Sequence, residues 1–366
     1  MKTIVVSGVT LRKGGTLAIL RDALAYLSEL AAHGEYRVVA LVHKRELCDY
    51  PNIEYLEMPH IVGGWLKRLW CEYVTMHRIS KELVPIYLWL SMHDVTPRVE
   101  AKYQAVYCQT SFPFYKWKWR DFRFDPKIPL FALFTRLYYK ANVQSNKYLI
   151  VQQEWLREGL SKMLNVPESK FIVAPPQRKV TDVIPVPIKK NGYTYLYVST
   201  ADCHKNFETL CRAAELLEQE IGKNKFKVVL TLKGNENKYA QWLYSQWGNI
   251  DSICFHGLMN KETLYGHYKA ADCLVFPSNI ETWGLPISEF MEVNDGPMIL
   301  SDLAYAHNTA QGGERVAFFK QDDAKDLKEK MRKAFEGDFK EFEAIPKKEL
   351  KEPKAESWDE LFSLLL

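Results

Sequence analysis

The chain has 366 residues, 47% of them hydrophobic and 26% charged, with a net charge of +4. That length exceeds what one hydrophobic core usually fills, so two domains are expected, and the balance of apolar and charged residues excludes a disordered chain. A charge this small does not by itself argue for nucleic acid, so any basic surface must be local. The seven cysteines (Cys48, Cys71, Cys108, Cys203, Cys211, Cys254 and Cys273) are scattered, odd in number and without a CxxC pair, which argues against a disulfide framework or zinc site and fits a reducing cytoplasm.

The opening MKTIVVSGV reads as a strand running into a Gly-containing turn, without the cationic start and long apolar segment of a signal peptide. LRKGGT is a Gly-rich turn, LAILRDALAYLSELAAH a helix and YRVVALVH a strand, a βαβ unit. Further strands are expected at YLWLSMHD, YQAVYCQ and KYLIVQQ. The stretch PPQRKVTDVIPVPIKKNG (175–192) has four prolines and no periodicity and reads as an interdomain linker. Strands and helices then alternate. YTYLYVST, KFKVVLTLKG, ICFHG, CLVFPS, PMILSD and VAFF are strands; KNFETLCRAAELLEQEI, the region around YAQWLYSQW, NKETLYGHYKAA and a segment starting near Gly284 are helices. That alternation is the pattern of a Rossmann-like sheet. The tail SWDELFSLLL (357–366) is amphipathic enough to dock on a domain. No uncharged apolar run approaches about 18 residues, so no membrane span is expected.

One stretch fits none of these elements. In 112-FPFYKWKWRDFRF-124, Tyr115, Trp117 and Trp119 alternate with Lys116, Lys118 and Arg120, but Phe122 and Phe124 then take the parity of the basic residues. As a helix it has an aromatic stripe (Tyr115, Trp119, Phe122) beside a basic one (Lys116, Arg120, Arg123, Lys127), as in an interfacial segment. From Ser111 to Lys147 there are eight Lys or Arg against two Asp. A membrane surface, nucleic acid, an aromatic-walled ligand pocket and plain core packing remain open, with nucleic acid disfavoured because no recognition module accompanies the patch.

In an open α/β sheet, ligands sit beyond the carboxyl ends of the strands. Those ends carry Lys205, Lys233 with Gly234, His256 with Gly257, and 281-ETWGLPISE-289. Gly284 opens a helix whose first-turn N–H groups suit an anion, and Glu289 lies about one and a half turns further in, where a carboxylate can accept from vicinal hydroxyls. With Glu281 before the turn, the segment suits a ligand bearing both phosphate and hydroxyls, a nucleotide sugar. Two solvated glutamates around a helix cap is the competing reading.

From FHGLMNKETLYGHYKAADCLVFPSNIETWGLPISEF to PMILSDLAYAH the sequence resembles the retaining glycosyltransferases of the GT-B class, family 4 (glycosyl transferases group 1), of the bacterial surface-polysaccharide type. The family's signature is two glutamates separated by seven residues, the spacing of Glu281 and Glu289. Weaker likeness covers the N-terminal strand with its Gly-Gly turn, LIVQQEWLREGLSKMLNVPESKFIVAPP and HKNFETLCRAAELL. The resemblance implies an α/β fold, GT-B, of two Rossmann-like domains facing across a cleft: an acceptor domain over 1–176, on which the tail 357–366 packs back, and a nucleotide-sugar domain over 177–356. It implies that Glu289 holds the donor ribose, that Glu281 lies near the sugar ring, and that Gly284, Leu285 and Pro286 meet the diphosphate. Lys205 would neutralise the leaving diphosphate, with Gly14 and Gly15 approaching it from the other domain. The family's arginine a few residues before Lys205 is replaced here by STADCH, so His204 or Lys233 is the expected substitute. Gln109 stands where many members place a histidine facing the sugar, and His93 is expected to line the same cleft or to be a structural histidine.

The resemblance further implies a hexose-like unit moved to a glycan or lipid-linked saccharide acceptor. Tyr115, Lys116, Trp117, Lys118, Trp119, Arg120 and Arg123 would then form an acceptor or membrane contact. No cofactor is expected, and no metal, since no Asp-x-Asp occurs. The setting is cytoplasmic, with peripheral contact at the inner membrane face as an extension of that reading. A sugar-nucleotide epimerase or hydrolase and a non-catalytic glycan-binding scaffold are the rivals. An NAD-dependent oxidoreductase is disfavoured because SGVTLRKGG lacks G-x-G-x-x-G spacing.

Overall fold

The computed structural model describes residues 1–61, 64–176, 183–189 and 192–366. Residues 177–182, 190 and 191 of the expected linker over 175–192, and with them the boundary expected between 176 and 177, thus lie outside the described residues. The chain divides into two units, Met1–Pro113 with Phe134–Gln177 and Leu350–Leu366, and Phe114–Leu133 with Arg178–Glu349.

The first unit holds a parallel sheet of seven strands: β1 (Lys2–Ser7), β2 (Tyr36–Val42), β3 (Ile53–Glu57), β4 (Ile86–Ser91), β5 (Tyr103–Tyr107), β6 (Tyr148–Val151) and β7 (Phe171–Val173). Their order is β3-β2-β1-β4-β5-β6-β7. Ile4, Val5 and Val6 are all fully enclosed, as a strand covered on both faces requires, which is why the sequence shows a continuous apolar run instead of alternation. The helix Gly14–Ala32 turns Leu17, Leu20, Ala23, Leu24 and Leu27 inward, the three-and-four spacing of one helical face. The tail forms the helix Trp358–Leu365, capped by the Ser357 hydroxyl, and stacks Phe362 on Tyr26 of that first helix at 5.3 Å. The edge strands β3 and β7 are additions that the reading of the sequence by alternation does not supply; one is half exposed and the other three residues long.

The second unit holds a parallel sheet of six strands: β8 (Tyr193–Tyr197), β9 (Phe226–Leu230), β10 (Ile253–Phe255), β11 (Cys273–Phe276), β12 (Met298–Ser301) and β13 (Val316–Phe319). Each falls on an apolar run named above. Their order, β10-β9-β8-β11-β12-β13, is the doubly wound pattern, and the connections reverse direction between β8 and β11. In a sheet of this kind the ligand site lies outside the carboxyl ends of these two strands.

The stretch at 112–124 is neither strand nor one continuous helix. A 3-10 turn at Phe112–Phe114 gives way to extended chain and then to a short helix, Trp119–Phe124. Asp121 is the cause. Its carboxylate accepts from the Lys118 backbone N–H at 2.8 Å and from the Tyr115 hydroxyl at 2.9 Å, so Tyr115 turns inward while Trp119 stays 80% exposed. The expected stripe of Tyr115, Trp119 and Phe122 is corrected accordingly: Tyr115 leaves it, while the Trp119 and Phe122 rings stay together at 5.8 Å.

Candidate active site

The crevice at the β8/β11 switch point is built from two loops tied to each other. After β8 the chain makes a 3-10 turn over Cys203–Lys205 and enters the helix Phe207–Ile221 through Asn206, whose φ of 57° is left-handed. Asparagine tolerates that conformation because its short side chain can bond locally. Here its Nδ2 donates to Pro277 O at 3.1 Å and its Oδ1 accepts from the Thr209 hydroxyl at 2.7 Å. The Tyr197 hydroxyl donates to Lys205 O at 2.6 Å, and Asn279 N donates to His204 O at 2.8 Å. Both loops are thereby pinned to buried neighbours, and a site on rigid supports loses little on ordering its ligand.

Lys205 Nζ reaches Glu281 Oε1 at 2.7 Å, with side chains 15% and 14% exposed. A pair this enclosed is screened less by salt than a surface pair. Three residues beyond Glu281, Gly284 adopts φ +91° and caps the helix Leu285–Val293, with Pro286 in its first turn. A Cβ at Gly284 would stand 3.3 Å from Ile287 Cδ1, so glycine is required by conformation first and by space second. Trp283 fixes the approach. Its indole N–H donates to Ser288 Oγ at 3.2 Å and its carbonyl accepts from the Thr309 hydroxyl. The helix therefore aims its N-terminal end, with Leu285 and Pro286 half-buried there, beside the Lys205–Glu281 pair. Glu289 is half-buried one and a half turns in and accepts from the Tyr268 hydroxyl at 3.0 Å.

His204 is buried, and burial first and Lys205 second push its pKa well below the usual range, so it is a neutral imidazole and no substitute for an arginine. Lys233 is exposed after β9, its stem lying against Gly257. The backbone N–H groups of Lys233, Gly234 and Asn235 converge on the Glu236 carboxylate at 2.6, 3.0 and 3.1 Å. Burial opposes ionisation of Glu236, and these hydrogen bonds overcome it and hold its pKa low.

In the first unit, Gly14 has φ +69° at the start of its helix, with open space where a Cβ would stand, and Gly15 follows half-buried. His93 does not line an open cleft as a sugar-facing residue would. It is 1% exposed, its Nε2 lies 2.9 Å from Ser7 Oγ and its Nδ1 lies 3.1 Å from Glu72 Oε1. Burial lowers its pKa to about 3 and raises that of Glu72 to about 8, so neither group is charged near neutrality. Arg68 donates to His93 O at 2.8 Å, and Gln109 Nε2 donates to Met92 O at 2.6 Å. Asp94 Oδ1 accepts from Gln109 N and Thr110 N at 2.5 and 3.0 Å. The loops after β4 and β5 are thus cross-braced. Glu72, which the sequence did not single out, sits in a π-helical turn at Cys71–Thr75, a distortion that often marks functional sites.

The aromatic and basic stretch divides. Lys116, Trp119 and Arg123 are exposed, whereas Trp117 is half-buried between Trp119 and Phe122 at 5.5 Å from each. Tyr115 is buried, Lys118 Nζ pairs with Asp322 Oδ1 at 2.6 Å and Arg120 pairs with Glu208, so Tyr115 is enclosed while the two half-buried cations are engaged in ion pairs within the second unit. Tyr268, Asn279, Asp322 and Glu208 all lack a sequence signal, because each acts through a partner distant along the chain.

Residues 181–352 match the family described as glycosyl transferases group 1. An uncharacterized glycosyltransferase of Methanocaldococcus jannaschii is 24% identical over 178 residues, and the match spans 45% of this chain and 44% of that protein. Among solved structures, WaaG, a glycosyltransferase involved in lipopolysaccharide biosynthesis, superposes with a TM-score of 0.66 at 15% identity, covering 91% of this chain and 90% of WaaG. Anabaena HepE in complex with UDP-glucose gives a TM-score of 0.62 at 11% identity, covering 92% and 90%. The chain has the fold of the GT-B glycosyltransferases, two Rossmann-like parallel α/β units, and the glycosyl transferases group 1 match falls almost wholly within the second of them.

Proposed function

We propose that the chain is a retaining glycosyltransferase of family 4 that moves a hexose-like unit from a nucleotide diphosphate sugar to a glycan acceptor, lipid-linked, in surface-polysaccharide synthesis. The observation that carries this reading is the Lys205–Glu281 pair beside the N-terminus of the helix Leu285–Val293, with Glu289 further along that helix. A cation and an anion-binding helix end suit a diphosphate, and a half-buried carboxylate suits ribose hydroxyls. The donor class is supported by HepE, which binds UDP-glucose, and the acceptor class by WaaG, which is involved in lipopolysaccharide biosynthesis.

The chemistry follows from those groups. The bond between the anomeric carbon and the diphosphate oxygen breaks with its electron pair passing to that oxygen. Lys205 and the helix N-terminus meet the growing negative charge, a kind of electrostatic help usually among the largest catalytic terms. The acceptor hydroxyl oxygen bonds the anomeric carbon from the same face and its proton passes to a leaving phosphate oxygen, so configuration is retained. Donor binding exchanges the Lys205 partner from Glu281 to phosphate and leaves Glu281 free to face the sugar. No metal enters this scheme, because Lys205 and the helix end supply the countercharge. Gly14, Gly15 and Gln109 are assigned to the donor and sugar by the family's pattern, and Lys233 to the donor rim.

The proposed setting is the cytoplasmic face of a membrane. Among the described residues no helix is long and apolar enough to cross one. Exposed Trp119 with Lys116 and Arg123 supports an interfacial contact, as do the exposed Leu130, Leu133 and Leu137 on the helix Lys127–Lys140.

A thermal-shift screen against UDP, GDP and dTDP sugars tests the donor, since only a ligand that binds the folded state raises Tm. Release of nucleoside diphosphate that requires a lipid-linked saccharide extract is the expected second result. Equal release without acceptor would make the protein a hydrolase, and no shift with any sugar nucleotide would overturn the reading.

A further inference from the structure

Residues 114–133 belong to the second unit, although the chain on either side of them belongs to the first. Within the second unit they meet the loop that carries Lys205. The Tyr115 ring stands edge-on to His204 at 6.1 Å, the Tyr115 hydroxyl donates to Asp121, and the short helix Trp119–Phe124 that carries Asp121 packs against the Cys203–Lys205 turn. The segment is itself fastened. Arg120 pairs with Glu208 in the first turn of the helix that follows Lys205, Glu208 also accepts from the Tyr239 hydroxyl, and Phe124 rests on Tyr239 and Trp242 at 5.2 Å from each.

Asp121 is fully buried and Tyr115 nearly so. Apolar side chains could cover this surface without the desolvation cost of a carboxylate, a guanidinium and a phenol. What a buried polar set adds is direction, because each donor must meet its acceptor along one line. That direction is delivered to the turn Cys203–Lys205, where the sequence STADCH places no cation ahead of Lys205. With no second cation in that turn, the position of Lys205 alone decides where its charge stands.

We propose that Tyr115, Arg120 and Asp121 are positioning residues that hold the Cys203–Lys205 turn so that Lys205 is aimed at the diphosphate of a nucleotide sugar. The inference rests on the transferase reading for its ligand, while the placement of Lys205 can be measured without one.

Trace labelling of amines with acetic anhydride, read by peptide mass spectrometry, reports Lys205 directly. In the wild-type protein the pair with Glu281 keeps Lys205 slow to react. Asp121→Asn and Tyr115→Phe should each raise its labelling at least threefold, with Lys330, which pairs with Glu341 from the helix Ala324–Glu336, unchanged. With UDP-glucose as probe, the same variants should lower kcat by about ten- to a hundredfold while KM stays within twofold, the mark of a misplaced group. Arg120→Lys, which keeps a cation for Glu208, should preserve most of both readouts. Lys205 labelling equal to wild type in a folded variant would overturn the inference. So would a failure of both Asp121→Asn and Tyr115→Phe to fold, since the segment would then be ordinary core. Absence of UDP-glucose turnover in the wild type counts against the donor reading alone, because the labelling still decides the positioning.

Discussion

Lys205 Nζ lies 2.7 Å from Glu281 Oε1, although the two residues are 76 positions apart and leave different strands, β8 and β11, that pair directly. Each neutralises the other, and in the proposed mechanism a donor diphosphate takes the place of Glu281 beside Lys205. Lys205→Ala should lower kcat by about a hundredfold or more, as loss of one preorganised charge partner does, with a smaller change in KM. Steady-state kinetics on the variant check this, and a change confined to KM would make Lys205 a ground-state anchor.

Glu289 is held by the Tyr268 hydroxyl and is proposed to take the ribose. Glu289→Ala should weaken nucleotide binding by about 1.5–3 kcal/mol, the range for hydrogen bonds to a charged group. Tyr268→Phe removes only the holding bond and should cost about 0.5–1.5 kcal/mol. Titration calorimetry with the nucleotide found by thermal shift ranks the two, and equal affinity in wild type and Glu289→Ala would remove Glu289 from the site.

Stability should depend on pH through Glu72 and His93. Glu72 holds its proton to about pH 8 in the folded chain but only to its ordinary range when unfolded, so the unfolded state binds fewer protons between these limits. Its contribution is lost as pH rises from about 4.5 to about 8. His93 stays neutral down to about 3 when folded, so its contribution is lost as pH falls from about 6.5 towards 3. Between 4.5 and 6.5 the two slopes oppose each other. Above 6.5 only Glu72 acts, and Glu72→Gln should flatten the fall in Tm from pH 6.5 to pH 8. A fall of equal size in both proteins would show that other groups cause it.

Gly266 lies on the helix Lys261–Ala270 under the segment 183–189, where a Cβ would stand 2.1 Å from Val186 O. Backbone cannot swing aside as a side-chain tip can. Gly266→Ala should destabilise the second unit by about 1–3 kcal/mol, as overpacking does, despite alanine's better helix propensity. Denaturant unfolding gives the value, and a gain in stability would show that the segment yields.

The interfacial reading now concerns fewer residues. Lys116→Gln with Arg123→Gln should reduce flotation with anionic vesicles, each basic group contributing about 1 kcal/mol near such a surface. Trp119→Ala should do the same with little change in Tm, because that ring is mostly exposed. Arg120→Gln is expected to behave differently and to destabilise by about 3 kcal/mol, since it leaves the buried Glu208 with the Tyr239 hydroxyl but without its cation. Undiminished flotation of the charge variant would remove the membrane from the function.

The doubly wound architecture was legible in the residues because it rests on local facts. Strand segments such as IVV in β1 and CLVF in β11 are buried on both faces and so are continuously apolar, and the helices between them show their inward face at three-and-four spacing. The segment around Gly284 was legible for a similar reason: a left-handed helix cap calls for glycine, and the flanking glutamates lie within a few residues of it. What only the tertiary structure decided are the partners. Glu281 meets Lys205, Glu289 meets Tyr268, His93 is enclosed by Ser7 and Glu72, and Arg120 leaves its basic neighbours for Glu208. An alternation of aromatic and basic residues states what a segment could cover, but which rings turn inward depends on where a buried acceptor such as Asp121 stands. That follows from the path of the whole chain, because a hydrogen bond fixes position only once both of its ends have been brought together.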